Sequence, residues 1–164
     1  GIVFNAEEYF VTQSVQANSS GGRVRVERYH HNDIVCAKLN SNGDLLWARN
    51  INKTEVTQGD GAYASYSSYT KNGDTYFFIC TANEAPQEMT KNRLMFKQGI
   101  SRNRNIFTVK LDSDGNISYE KIIDNEEARL PFMVSKPLVN KESDQLRFYA
   151  KRGTKKQLVS VSIR

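Results

Sequence analysis

Cysteine, proline and histidine are all scarce in this 164-residue chain, and each scarcity closes off a class of protein. Two cysteines, Cys36 and Cys80, cannot build a disulfide-dense scaffold or a four-cysteine zinc site. Both fall in apolar, alternating segments, 34–39 and 75–81, where a small buried thiol is the expected state. A disulfide between them would need Cα atoms within about 7 Å, which sequence leaves open. The two histidines are neighbours, His30 and His31, in the run His30-His31-Asn32-Asp33. On a strand they point to opposite faces, and with no third histidine elsewhere they are poor candidates for a metal or general-base site. No stretch approaches the roughly 18–20 apolar residues of a membrane-spanning helix. Residues 1–5 also lack the basic-then-apolar pattern of an export signal. A chain opening on Gly1 is compatible with a signal already removed, and an extracytoplasmic or cell-surface location is the expectation.

Chemical motifs are equally sparse. There is no Gly-rich phosphate loop and no nucleophile elbow, and no cofactor is implied. Asp112-Ser113-Asp114-Gly115-Asn116 superficially resembles a calcium loop, but its glycine comes fourth rather than sixth and a hairpin turn explains it better. Asp124, Glu126 and Glu127 could supply acid and base to a glycosidase, yet no spacing pairs them. The triplets beginning at Asn18, Asn52 and Asn116 fit the glycosylation pattern, which matters only in a secretory host.

What the chain does contain is strand. Eight tyrosines, eight phenylalanines and many Val and Ile residues favour pleated, half-buried segments, and the length suits one compact unit, 1–164. The segment from Asp33 to Trp47 recurs 72 residues later from Asn105 to Tyr119. The identities are Ile34/Ile106, Lys38/Lys110, Leu39/Leu111, Ser41/Ser113 and Gly43/Gly115, with Trp47 matched by Tyr119 and Arg49 by Lys121. Each copy reads as a hairpin whose turn, Asn42-Gly43 or Asp114-Gly115, is expected to be type I′. Related paired segments flank Lys71-Asn72-Gly73-Asp74 and residues 140–144, and 157–163 aligns with the first strand of the hairpin. Labelled A to D within a unit, the strands run B (about 9–15), C, D, then A, B, C, D, then A, B, C.

This four-stranded meander, with its outer hairpin of the form Ile-x-x-x-Lys-Leu-Asp-x-Asp-Gly-Asn-x-x-x-aromatic, resembles the blades of bacterial β-propellers of the quinoprotein-like and other secreted repeat types. The resemblance spans residues 9–164 and implies an all-β, antiparallel, β-propeller-like fold of about three blades, near 5–51, 62–123 and 131–164, with an inserted loop at 82–104. Propellers close with four to eight blades. The resemblance therefore implies a C-terminal piece of a larger propeller, completed by the remainder of that protein or by a second copy. The competing architecture is a closed antiparallel barrel or a two-sheet sandwich.

In such propellers the B-to-C connections share one, ligand-facing side. Here those connections, 17–32, 82–104 and 151–156, carry formal charges of +2, +3 and +4, together +9 against +5 for the whole chain. A basic side attracts anionic ligands, and the candidate binding residues are Arg23, Arg25, Arg93, Phe96, Lys97, Arg102, Arg104, Lys151 and Arg152. Phe96, between Arg93 and Lys97, could stack on a sugar or base. It could equally anchor the long connection or belong to a short helix over 90–97. The function expected is non-enzymatic: a binding or scaffold segment contacting an anionic glycan or other polyanion. The alternative is part of a carbohydrate-active or quinoprotein-like enzyme whose site other blades complete.

Overall fold

A computed structural model describes residues 1–59, 61–98, 104–124 and 130–164. It contains thirteen strands among those residues: β1 (Ile2–Ala17), β2 (Arg23–Leu39), β3 (Leu45–Asn52), β4 (Glu55–Thr57), β5 (Tyr66–Lys71), β6 (Asp74–Ile79), β7 (Gln87–Thr90), β8 (Arg93–Met95), β9 (Ile106–Leu111), β10 (Ile117–Ile123), β11 (Leu138–Asn140), β12 (Gln145–Arg152) and β13 (Lys155–Ser162). The one helical element described is a single 3₁₀ turn, Gly61–Tyr63. The fold is all-β, and its sheets are antiparallel apart from one short parallel pairing, β3 with β8.

Three sheets form. The first runs β1-β2-β3-β8-β7 with β4 paired to β2, the second β10-β9-β6-β5, and the third β11-β12-β13. None closes on itself among the described residues, so the single closed barrel is excluded. Two separate cores exclude a two-sheet sandwich as well. Ile34, Cys36, Trp47 and Ile51 of the first sheet pack with Phe77, Ile79, Phe107, Val109 and Leu111 of the second. Phe78, Cys80 and Ile106 of the second pack with Leu146, Phe148 and Ala150 of the third. The middle sheet is thus covered on both faces. That is why Tyr76-Phe77-Phe78-Ile79-Cys80 is a continuous apolar run where a half-buried strand would alternate. Both thiols are buried and unpaired. Burial pushes Cys36 up to about 11 and Cys80 to about 12.

The repeated turns differ from the expected type. A I′ turn needs positive φ at both central residues, but only the glycines have it, Gly43 at 90° and Gly115 at 81°. The five-residue loop is held instead by its first side chain. Asn40 Oδ1 accepts from the backbone N–H groups of Asn42 and Asp44, both at 2.9 Å. Asp112 Oδ1 accepts from those of Asp114 and Asn116 at 2.9 and 2.8 Å. This is a type I turn closed by a left-handed glycine. Across the loop mouth Asn40 donates to Asp44, and Asn116 donates to Asp112, both at 2.8 Å: the same bond with amide and carboxylate exchanged. The I′ geometry occurs at Asn72-Gly73, where φ is 53° and 89°.

The second copy of this turn docks on the first sheet. Lys38 Nζ donates to Ser113 O at 2.6 Å, Trp47 Nε1 to the same oxygen at 3.3 Å, and Arg49 Nε to Gly115 O. These receiving side chains are the Lys, Trp and Arg of the repeat itself. At the same end Lys71 is bonded to Ile163 O and ion-paired with Asp144 at 2.9 Å, which also accepts from Tyr69 at 2.7 Å.

Two connections are more ordered than their composition suggests. Residues 17–32 are mostly strand: β1 and β2 continue as a two-stranded ribbon to a tight turn at 18–22, where Asn18 Oδ1 accepts from Ser20 and Gly22 N–H. In the 82–104 connection no helix forms at 90–97. A β7–β8 hairpin forms there and extends the first sheet beside β3.

Candidate functional site

Five of the candidate binding residues are exposed on three hairpins. Arg23 and Arg25 are exposed near the tip of the β1–β2 ribbon, opposite Ala17 and Val15, and point to one face because they are two residues apart. Lys151 and Arg152 are exposed at the tip of the β12–β13 hairpin, which turns through Gly153 at φ 60°. Their cross-strand partners are Lys156 and Lys155. Like charges directly opposite are destabilising, and among the described residues no carboxylate lies within ion-pair distance of any of the four. Arg93 opens β8 and lines an open groove of about 350 Å3 with Arg49, Lys91, Asn92, Asn116 and Glu88. The hairpin that carries it runs along β3 towards Arg49, away from the ribbon.

Of the remaining candidates, Phe96 and Arg104 turn into the fold. Phe96 is 4% exposed, packs against Phe107 with ring centroids 5.5 Å apart, and belongs to the first core. It anchors its connection and cannot present a stacking face to ligand. Arg104 turns inward to Glu55 at 3.2 Å. Lys97 is exposed beyond β8. Arg102 lies outside the described residues, as do Glu126 and Glu127.

The histidines do point apart. His30 stacks on Phe10 at 4.3 Å and shares a 2.9 Å bond with Thr12. His31 turns to the other face, where Nδ1 lies 3.0 Å from Glu7 Oε2. Among the described residues no cluster of three metal-ligating side chains exists.

His31 leads to a cluster the sequence does not announce. Lys53 is 2% exposed, and its Nζ lies 2.8 Å from Glu7 Oε1, 3.0 Å from Glu55 Oε2 and 2.9 Å from His31 O. Glu55 also accepts from Ser65 N–H at 3.0 Å, and Glu7 from Ser65 Oγ at 2.7 Å. Asp33 accepts from Asn52 Nδ2 and from Lys53 N–H, so the Asn52 side chain is engaged inside the fold rather than offered to a glycan. Burial raises the Glu55 carboxyl above its ordinary range, while Lys53, Arg104 and the Ser65 N–H pull it back. Ser65 sits at φ 68°, a strained position for a side-chain-bearing residue.

Chemically this is a clamp rather than a catalytic relay. The Glu7 carboxylate stands between hydroxyl and imidazole, so His31 cannot take the Ser65 proton, and the Lys53 ammonium lies within ion-pair distance of both carboxylates. What the cluster does is tie β1, β2, β4, the Ser65 turn and Arg104 together. Its sequence signal was weak because Asn52-Lys53-Thr54-Glu55 is polar and lies in a short connection, where charge normally faces water. No protein-family model matches this chain, and neither the curated proteins nor the solved structures contain a significant match.

Proposed function

We propose that the chain is a non-enzymatic binding or scaffold module of β-propeller-type blades that holds an anionic polymer through the basic tip of β12 and β13. The blade reading is supported by the strand order. Consecutive antiparallel meanders occur as β1-β2-β3, β5-β6-β9-β10 and β11-β12-β13, and the repeated turn packs one sheet on the next.

The observation that carries the ligand reading is the cross-strand pairing of Lys151 with Lys156 and of Arg152 with Lys155, with no carboxylate among the described residues within ion-pair distance. At the other end of the sheets the comparable cations are neutralised: Lys71 by Asp144 and Lys110 by Asp74 at 2.6 Å. Repulsion left in place at one end alone is explained if an external anion relieves it. Arg23 and Arg25 extend the same sign of charge along the ribbon.

Binding to heparin, a sulfated glycan, tests this. Affinity should fall as salt rises, and the combined Lys151→Ser, Arg152→Ser, Lys155→Ser, Lys156→Ser variant should bind at least about tenfold more weakly. Lys141→Ser, an exposed cation in the turn between β11 and β12, should change nothing. Salt-insensitive binding, or an unaltered quadruple variant, would refute the assignment.

A further inference from the structure

The geometry points to a dimer in which the outer edge of β1 pairs antiparallel with β1 of a second copy of this chain, about a two-fold axis at Gln13. The starting observation is an edge strand without protection. β1 is sixteen residues long and has only β2 beside it in its sheet. Beyond Val11 its partner strand is also alone: β3 pairs with residues 34–39 of β2, and β4 with residues 29–31, which lie opposite Tyr9, Phe10 and Val11. From Thr12 to Arg28 the two strands therefore form a ribbon paired with nothing else among the described residues. Two-stranded ribbons are marginal in water by themselves.

Proteins normally blunt such edges with charge, proline or bulges. Tyr9-Phe10-Val11-Thr12-Gln13-Ser14-Val15-Gln16-Ala17 has no charge, no proline and no glycine, and the one bulge lies before it, between Glu7 and Tyr9. Its apolar side chains stand in solvent, with Tyr9 53%, Val11 42% and Val15 65% exposed. An uncharged strand of this composition is a template for another strand.

Symmetry selects the occupant. The nine uncharged residues are centred on Gln13, and an antiparallel copy in that register keeps the whole stretch paired with itself. Val11 meets Val15 of the second copy and Tyr9 meets Ala17, on the same face; Phe10 meets Gln16 and Thr12 meets Ser14 on the other. No like charges come opposite, and the flanking Glu8 meets the uncharged Asn18 of the second copy. Two apolar Val–Val pairs form at positions exposed in the single chain, and the two ribbons become a four-stranded sheet, β2-β1-β1-β2, with the fragile edge in its centre. This inference is independent of the polyanion reading, because it uses a different hairpin and uncharged residues.

The test is molar mass by light scattering over a concentration series, with circular dichroism to check that each variant folds. The wild-type chain should reach twice 18.7 kDa. Val11→Lys and Val15→Glu, each at an exposed edge position, should each be monomeric at concentrations where the wild type is dimeric. An equimolar mixture of the two should dimerise again, since the introduced lysine then faces the introduced glutamate across one half of the interface and the remaining Val15 faces the remaining Val11 across the other. A wild-type monomer up to about 1 mM would overturn the inference, as that limits Kd to a range no specific dimer needs. Dimers that survive both single substitutions would place the contact elsewhere, and failure of the mixture to dimerise would overturn the Gln13 register.

Discussion

Gly43 and Gly115 occupy the same place in the repeated turn, and replacing each with alanine separates the intrinsic requirement of the turn from the requirement of the contact it makes. At both positions the alanine must adopt a left-handed φ, 90° or 81°, which costs about 1–2 kcal/mol. At Gly43 nothing else happens, because an added methyl meets no atom within 4 Å. At Gly115 the methyl would lie 2.7 Å from two carbons of the Trp47 ring and 2.9 Å from the Arg49 guanidinium. The turn must withdraw, adding an overpacking cost of about 1–3 kcal/mol. It also loosens the bonds that Lys38, Trp47 and Arg49 donate to the carbonyls of Ser113 and Gly115. The expected loss is about 1–2 kcal/mol for Gly43→Ala and about 3–5 kcal/mol for Gly115→Ala. For a chain of this size the difference corresponds to roughly 5–10 °C in Tm. Denaturant unfolding of both variants measures it. Trp47, the only tryptophan, gives a local readout: its emission should change in folded Gly115→Ala and stay unchanged in Gly43→Ala. Equal destabilisation by the two substitutions would show that the turn does not bear on Trp47 as described.

The buried clamp gives a second expectation. Lys53→Met removes the cation from between Glu7 and Glu55 and should destabilise by about 3–5 kcal/mol, with Glu7→Gln and Glu55→Gln in the same chain recovering part of the loss in urea unfolding. No recovery would mean that the lysine stem, rather than its charge, is what the site needs. The pH dependence follows from carboxyls shifted in opposite directions. Asp112 is held below its usual range chiefly by the Asn116 side chain, and Asp144 by Tyr69 and Lys71. A depressed folded pKa means that their contribution is complete above the ordinary carboxyl value, near 3.8, and is lost as pH falls through the lower folded value. Glu55, raised by burial, has the reverse sign: stability declines as pH rises from its ordinary 4.5 towards the folded pKa, and is level above it. In Tm scans over that upper window, Glu55→Gln should remove the decline, and a decline unchanged by the substitution would assign it to another group.

Strand content was readable from alternation because a half-buried strand must show water one face and core the other. Segments 34–39 and 106–111 carry that pattern and form β2 and β9 as hairpin arms. The turn type was misread because Asn-Gly and Asp-Gly pairs are the strongest I′ signal. What decides between a two-residue turn and this longer loop is the side chain two positions earlier, Asn40 or Asp112, which binds the backbone of the loop. The β7–β8 hairpin was hidden for another reason. Its strands have four and three residues, too short for any periodicity, and β8 is held by β3, far away in sequence. Leu94 and Phe96 complete the first core there, so the mixture of basic and apolar residues in 91–97 is one apolar face and one wet face of a short strand, and the wet face is where Arg93 stands.

The site residues were less legible than the fold because charge in a sequence has no direction. Arg23, Arg93, Arg104 and Lys151 all belong to connections of one kind, yet Arg104 neutralises a buried glutamate, Arg93 is carried along the edge of the first sheet, and Lys151 stands in solvent opposite another lysine. The distinguishing information is the partner across the strand. Where the chain buries Lys53, it surrounds the ammonium with two carboxylates and a carbonyl oxygen, as the cost of desolvating a charge demands. Where Lys151 pairs across the strands with Lys156, no carboxylate among the described residues lies within ion-pair distance. A fold that satisfies its buried charge so fully has the means to neutralise an exposed hairpin, and one acidic residue at position 155 or 156 would suffice. The uncompensated tip is therefore the first surface to probe for a ligand.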